Sequence, residues 1–154
     1  MEVHNRWYED TAKVISFYQG TLTQKEAKRF KLDLLRRVAG RITGFSEECG
    51  YCQIFQQEIV QLLQDLGNLS FLSEGVRHGH ARMIKNAVKH LQHDHKLITK
   101  RHYVGLGAAL GTGIGVAIGV GMDNVGGGIL IGNAIGVGIG SYLDSRAKKA
   151  DRVI

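Results

Sequence analysis

Proline is absent from this sequence. A chain without it carries no residue that breaks a helix by lacking its amide hydrogen, which fits a nearly all-helical fold without rigid turns. Cysteine is scarce: Cys49 and Cys52 form a single C-x-x-C and supply no disulfide framework. An apolar leader is missing too, because Met1-Glu-Val-His-Asn is polar and contains no h-region of a secretory signal. Both absences lead to the expectation of a reducing, cytosolic face for the N-terminal part. Catalytic signatures are lacking. There is no GxSxG, no Walker loop and no HExxH. No paired-carboxylate motif is present, since Glu47-Glu48 reads as charge at a helix start. Gln53 stands where a c-type haem motif requires histidine. The sequence is therefore expected not to be an enzyme.

Glycine is what the chain has in quantity, 21 of 154 residues, and its placement is regular. Gly107, Gly111, Gly115 and Gly119 fall four apart, as do Gly128, Gly132, Gly136 and Gly140. Ala, Val, Ile and Leu fill the spaces, and the strongly polar pair Asp123-Asn124 stands midway. Glycine weakens a helix in water by about 1 kcal/mol relative to alanine. In lipid the backbone must bond to itself, so only helices and closed barrels cross. There a small residue at every fourth position makes a flat face that a second backbone can approach closely. The pattern predicts two transmembrane helices, Tyr103 to Met122 and Val125 to Leu143. Each arm has about 19 to 20 residues and spans about 30 Å, the hydrocarbon thickness. Stretches such as Gly136-Val-Gly138-Ile-Gly140 also alternate with period two, the mark of a strand. A period of four has no reason to recur in a strand, and glycine is depleted there. A glycine-rich hairpin buried inside a soluble oligomer is the other competing reading.

Lys100, Arg101 and His102 precede the first arm; Arg146, Lys148, Lys149 and Arg152 follow the second. The turn carries no cation. Basic flanks favour the cytoplasmic side, so an inner or cytoplasmic membrane with both termini cytoplasmic is expected. Tyr103 and Tyr142 fall at that same interface. The net charge of +6 suits an anionic lipid surface, because the cations gather at the predicted boundary. Nucleic acid is not expected as a partner, since no binding motif accompanies the charge.

Residues 105 to 140 resemble the two-helix glycine-zipper small membrane proteins of bacteria. The resemblance covers about a quarter of the chain. It implies close helix packing and self-association rather than an activity. Many such proteins are lipoproteins, and this chain departs from them in having neither a signal peptide nor an N-terminal lipobox cysteine.

The N-terminal part reads as a bundle. Residues 1 to 19 form an amphipathic segment with Trp7, Val14, Ile15, Phe17 and Tyr18 among charges. It is either an interfacial anchor or a helix packing through its apolar side, the latter favoured because Glu9 and Asp10 dilute any basic face. Thr23-Gln-Lys-Glu26 matches a capping box. From there Ala27, Phe30, Leu34, Val38 and Ile42 make one helical stripe, widened by Leu35 and Ala39 and ending near Gly40 to Gly44. Ser46-Glu47-Glu48 is expected to start the next helix, which runs to Gly67-Asn68. After a loop over 69–73, Ser73-Glu74 restarts a helix through Ile84, Val88 and Leu91 that continues, or bends slightly, into the first membrane arm.

Cys49 and Cys52 lie three apart on one helix face, and His90, His93 and His95 lie on the next helix. An antiparallel hairpin about Phe71 sets Cys49 level with His93 and Cys52 level with His90. Two pairs at i, i+3 on facing helices make a Cys2His2 set, with His95 in reserve if the register differs. Thiolate plus imidazole suits zinc as a structural metal, and a small domain of about 100 residues gains most from such a staple. Thiol–disulfide chemistry at Cys49/Cys52 and inert helical cysteines are the alternatives.

The expected architecture is all-α: a cytosolic helical bundle over 1–101, a transmembrane glycine-zipper hairpin over 102–145 and a basic tail over 146–154. Two functions suit it, the first as the main expectation and the second as its alternative. One is an oligomeric membrane assembly, pore or channel-like, with Thr112, Asn133 and Ser141 in a lumen, Asp123 and Asn124 at its mouth, and a second glycine face (Gly105, Gly113, Gly121) for neighbours. The other is a membrane anchor or scaffold whose helical domain docks a cytosolic or membrane complex or senses metal or redox state.

Overall fold

A computed structural model describes the backbone of residues 2–67 and 74–154, and side chains from residue 6 in the first stretch and 78 in the second. The expected loop over 69–73 and the caps at Asn68 and Ser73 lie outside the described residues. Among the described residues the regular elements are seven α-helices and the protein is all-α. The chain divides into two compact units, 1–95 with Ile154, and 96–153. The basic residues after 145 fall within the second unit up to Val153.

The first unit is built from α1 (Glu2–Thr21), α2 (Gln24–Arg29), α3 (Leu32–Phe45), α4 (Gly50–Gly67) and α5 (Glu74–His93). Helix α3 is its centre and touches the other four. Its buried line is Leu32, Leu35, Val38, Ala39 and Ile42, while Arg36 and Arg37 face out. Burying an aliphatic side chain of this size is worth about 1.5–3 kcal/mol. Helix α4 contributes Cys52, Ile59, Leu62, Leu63 and Leu66, and α5 contributes Ile84, Ala87 and Leu91. Helix α1 turns Thr11, Ala12 and Ile15 inward and leaves Phe17 64% exposed. It thus packs on the bundle with fewer of its apolar residues than the sequence suggested. Tyr8 joins that contact: a Cβ on Gly40 of α3 would stand 3.3 Å from its ring.

The long helix expected from Thr23 to Gly44 is broken. The capping box of Thr23 and Glu26 forms as expected, but α2 stops at Arg29 and Lys31 takes a left-handed conformation, φ 52°. Past the break Leu35, Val38, Ala39 and Ile42 face the core as expected, but Leu32 joins them and Leu34 is only half-buried. Ser46 does not start α4. It ends α3, is fully buried, and its hydroxyl donates to the Thr43 carbonyl at 2.9 Å. Residues 46–48 form a turn that Gln53 pins by donating to the Ser46 carbonyl at 2.8 Å. Nor does α5 run on into the hairpin. It ends at His93, and left-handed Lys96 and Arg101 divert the chain before the next helix.

The second unit is a pair of helices, α6 (His102–Gly121) and α7 (Val125–Lys149). Both are long and apolar enough to cross a membrane. Left-handed Asp123 makes the turn between them, and the Asn124 side chain caps α7 by accepting from the Gly127 amide at 2.9 Å. A Cβ on Gly107, Gly111 or Gly115 would overlap the carbonyl of Gly136, Gly132 or Gly128, and the overlaps hold in reverse. Gly119 and Gly140 close the two ends of this contact, against Val125 and the Tyr103 carbonyl. Backbone thus meets backbone, with Cα hydrogens directed at opposite carbonyls. By contrast, a Cβ on Gly105, Gly113, Gly121 or Gly138 would meet open space. Thr112 and Asn133 do not stand apart: the Asn133 amide donates to the Thr112 hydroxyl at 3.1 Å.

Candidate metal centre

The turn after α3 places Cys49 immediately before α4. Its amide donates to the Phe45 carbonyl at 3.0 Å and its carbonyl accepts from the Gln53 amide at 3.3 Å. Cys52 follows in the first turn of α4 and is fully buried. His90 occupies the last turn of α5. His95 lies beyond the helix end, where the chain bends back.

Four donor atoms converge. Cys49 Sγ stands 3.3 Å from His90 Nε2, Cys52 Sγ 3.6 Å from the same nitrogen, and Cys52 Sγ 3.5 Å from His95 Nε2. Cys49, Cys52, His90 and His95 each offer one ligand atom, and the four lie within 4.8 Å of one another. A tetrahedral ion with bonds of about 2.3 Å to sulfur and about 2.0–2.1 Å to nitrogen would hold its nitrogen and sulfur ligands about 3.5 Å apart. The measured separations match that edge. These four residues can therefore bind a metal ion.

The register inferred from the sequence holds for Cys49, Cys52 and His90 but not for His93. The His93 side chain is 80% exposed and its Nδ1 faces the Asp94 carboxylate at 3.3 Å. His95 takes the fourth place instead. A helix continuing past residue 93 would have carried His95 away; its termination brings the ring back. Aromatic residues hold both rings. Phe45 stacks on His95 with centroids 3.9 Å apart, and Tyr51 and Phe55 tilt against His90 at 5.6 and 5.7 Å. Sequence reading passed over Phe45 and Asp94. The one available signal was Asp94's place between two histidines.

Burial pushes the Cys52 thiol up to about 12, aided by the neighbouring Cys49 and by the charge of Asp94. Burial also lowers His95 from the ordinary histidine value, with the charge of His90 adding to it. Without a cation, then, this pocket favours a neutral thiol and a neutral imidazole. A bound dication inverts that preference and makes the thiolate the stable form. Asp94 is held below the usual carboxylate range, first by its hydrogen bond with His93.

The fold and site define an all-α protein with a Cys2His2 donor cluster in a helical domain and an apolar hairpin of membrane-spanning length. No protein family, curated protein or solved structure matches the chain.

Proposed function

We propose that this protein is a membrane-anchored scaffold. The α6–α7 hairpin holds it in an inner or cytoplasmic membrane with both termini cytoplasmic. Zinc on Cys49, Cys52, His90 and His95 staples the helical domain, which presents its surface to a partner complex. The observation that carries the membrane part is the inversion of the hairpin. Its inner face is bare backbone, while Leu110, Ile114, Leu130, Ile131, Ile135 and Ile139 are 58–73% exposed. A continuous apolar surface of this kind marks a membrane or protein contact rather than a wet face. The bacterial glycine-zipper resemblance points the same way.

The anchor is favoured over a pore because the glycines four apart are used up within one chain. Thr112 and Asn133, two of the three polar groups a lumen would need, are bonded to each other. The oligomeric reading keeps one observation of its own, the open space outside Gly105, Gly113 and Gly121. Extraction separates the readings. The anchor predicts retention of the full chain in membranes through an alkaline wash, release by detergent with zinc bound, and no dye leakage from liposomes. Leakage abolished by Gly113→Leu would establish the oligomeric pore instead. Recovery in the soluble fraction without detergent would overturn both.

A further inference from the structure

We propose that Asp94 is a positioning residue for the cluster: it orients His90 and thereby sets the affinity for a divalent metal ion. This rests on the metal-binding reading above. The Asp94 amide donates to the His90 carbonyl at 2.9 Å as α5 ends, which folds the carboxylate back over the ring. Its Oδ2 then lies 2.7 Å from His90 Nδ1. A ring nitrogen so close to a carboxylate carries the proton, which leaves Nε2 with its lone pair free. Nε2 is the atom facing both thiols, at 3.3 and 3.6 Å. The carboxylate thus selects the tautomer and fixes the ring's rotation. The other oxygen of Asp94 faces His93 Nδ1 at 3.3 Å. The histidine that does not ligate accordingly steadies the carboxylate that orients the one that does.

Loss of such an outer carboxylate weakens metal binding about 10- to 100-fold. The Asp94 side chain is 52% exposed, so water competes and the lower end, about tenfold, is expected. The experiment is a competition titration of the full chain in detergent micelles with cobalt(II) and then zinc(II). Wild type is compared with Asp94→Ala, Asp94→Glu and His90→Ala, and with Asp94→Ala in the His90→Ala background. Asp94→Ala should bind about tenfold more weakly with helical content unchanged, and Asp94→Glu should recover part of the loss. In the His90→Ala background Asp94→Ala should change nothing further, because its action passes through that ring. Equal affinity for Asp94→Ala and wild type would overturn the proposal and leave the metal site standing. An equal loss in the His90→Ala background would also overturn it, as the sign of a general charge effect. A wild-type protein that takes up neither ion would overturn both.

Discussion

Asp144 near the end of α7 caps the start of α6. Its two carboxylate oxygens accept from the Tyr103 and Val104 amides, each at 3.1 Å. Arg101, the residue at the cap position of α6, supplies no side-chain bond of its own. A helix N-terminus leaves amide hydrogens without partners and carries partial positive charge. Here the neighbouring helix provides the anion. Asp144→Ala should cost the hairpin about 1 kcal/mol, the size of a lost N-cap. Asp144→Asn should cost less, because an amide oxygen still accepts. Unfolding of the hairpin in mixed micelles would measure both.

The glycines divide into two sets with opposite expected responses. Gly115→Ala places a methyl group against the Gly128 carbonyl. It should separate the helices and cost about 1–3 kcal/mol, the range for overpacking. Gly113→Ala meets nothing within 4 Å, and should be neutral or slightly stabilising within a single hairpin. The same unfolding assay reads the contrast. Should Gly113→Ala instead prove as costly, a second chain must lie against that face.

The two neighbouring histidines should differ sharply. His95→Ala removes one of the four converging donors and should abolish tight metal binding. His93→Ala removes an exposed ring outside the cluster and should leave one equivalent bound. Metal content after purification under reducing conditions gives the answer. With the ion at a hundred times its Kd, the folded domain gains about 2.7 kcal/mol, so a chelator should lower the Tm of wild type and of His93→Ala but not of His95→Ala.

The capping box gives a small pH dependence. Glu26 is held below its usual range, chiefly by the Thr23 hydroxyl and then by the Thr23 amide. A depressed folded value means stability that is present above the unfolded pKa of about 4.3 and is lost as pH falls through the folded value. Glu26→Gln should remove that part of the acid dependence while leaving neutral-pH helicity nearly unchanged. Thermal melts of the two proteins at pH 3 and pH 7 would show it.

The metal centre was partly legible because two of its helices obey simple periodicity. Cys49 and Cys52 share a face by spacing, and an antiparallel hairpin read from the sequence sets His90 at their height. His95 stands only in reserve on the sequence, because the i, i+3 spacing pairs His90 with His93. Nothing local announces the stop at His93 or the left-handed Lys96. The same difficulty affected Lys31, where the break brought Leu32 into the inward line and left Leu34 half-buried. Capping signals fared unevenly for the same reason. Thr23 and Glu26 satisfy each other within one turn, so they could be read directly. Ser46 offered an equally good cap by type, yet it was taken up by Thr43 behind it.

The sequence by itself determined the all-helical character, the paired apolar arms and the glycine faces, since those depend on residue type and a repeat of four. Local chemistry repeated along a chain is visible without coordinates. Tertiary structure alone decided that these glycine faces meet each other within one hairpin, that Asp144 caps α6, and that His95 rather than His93 completes the donor set. Each of these turns on a left-handed residue or on a partner about forty positions away. Such contacts arise from how helices end and pack, which spacing does not encode.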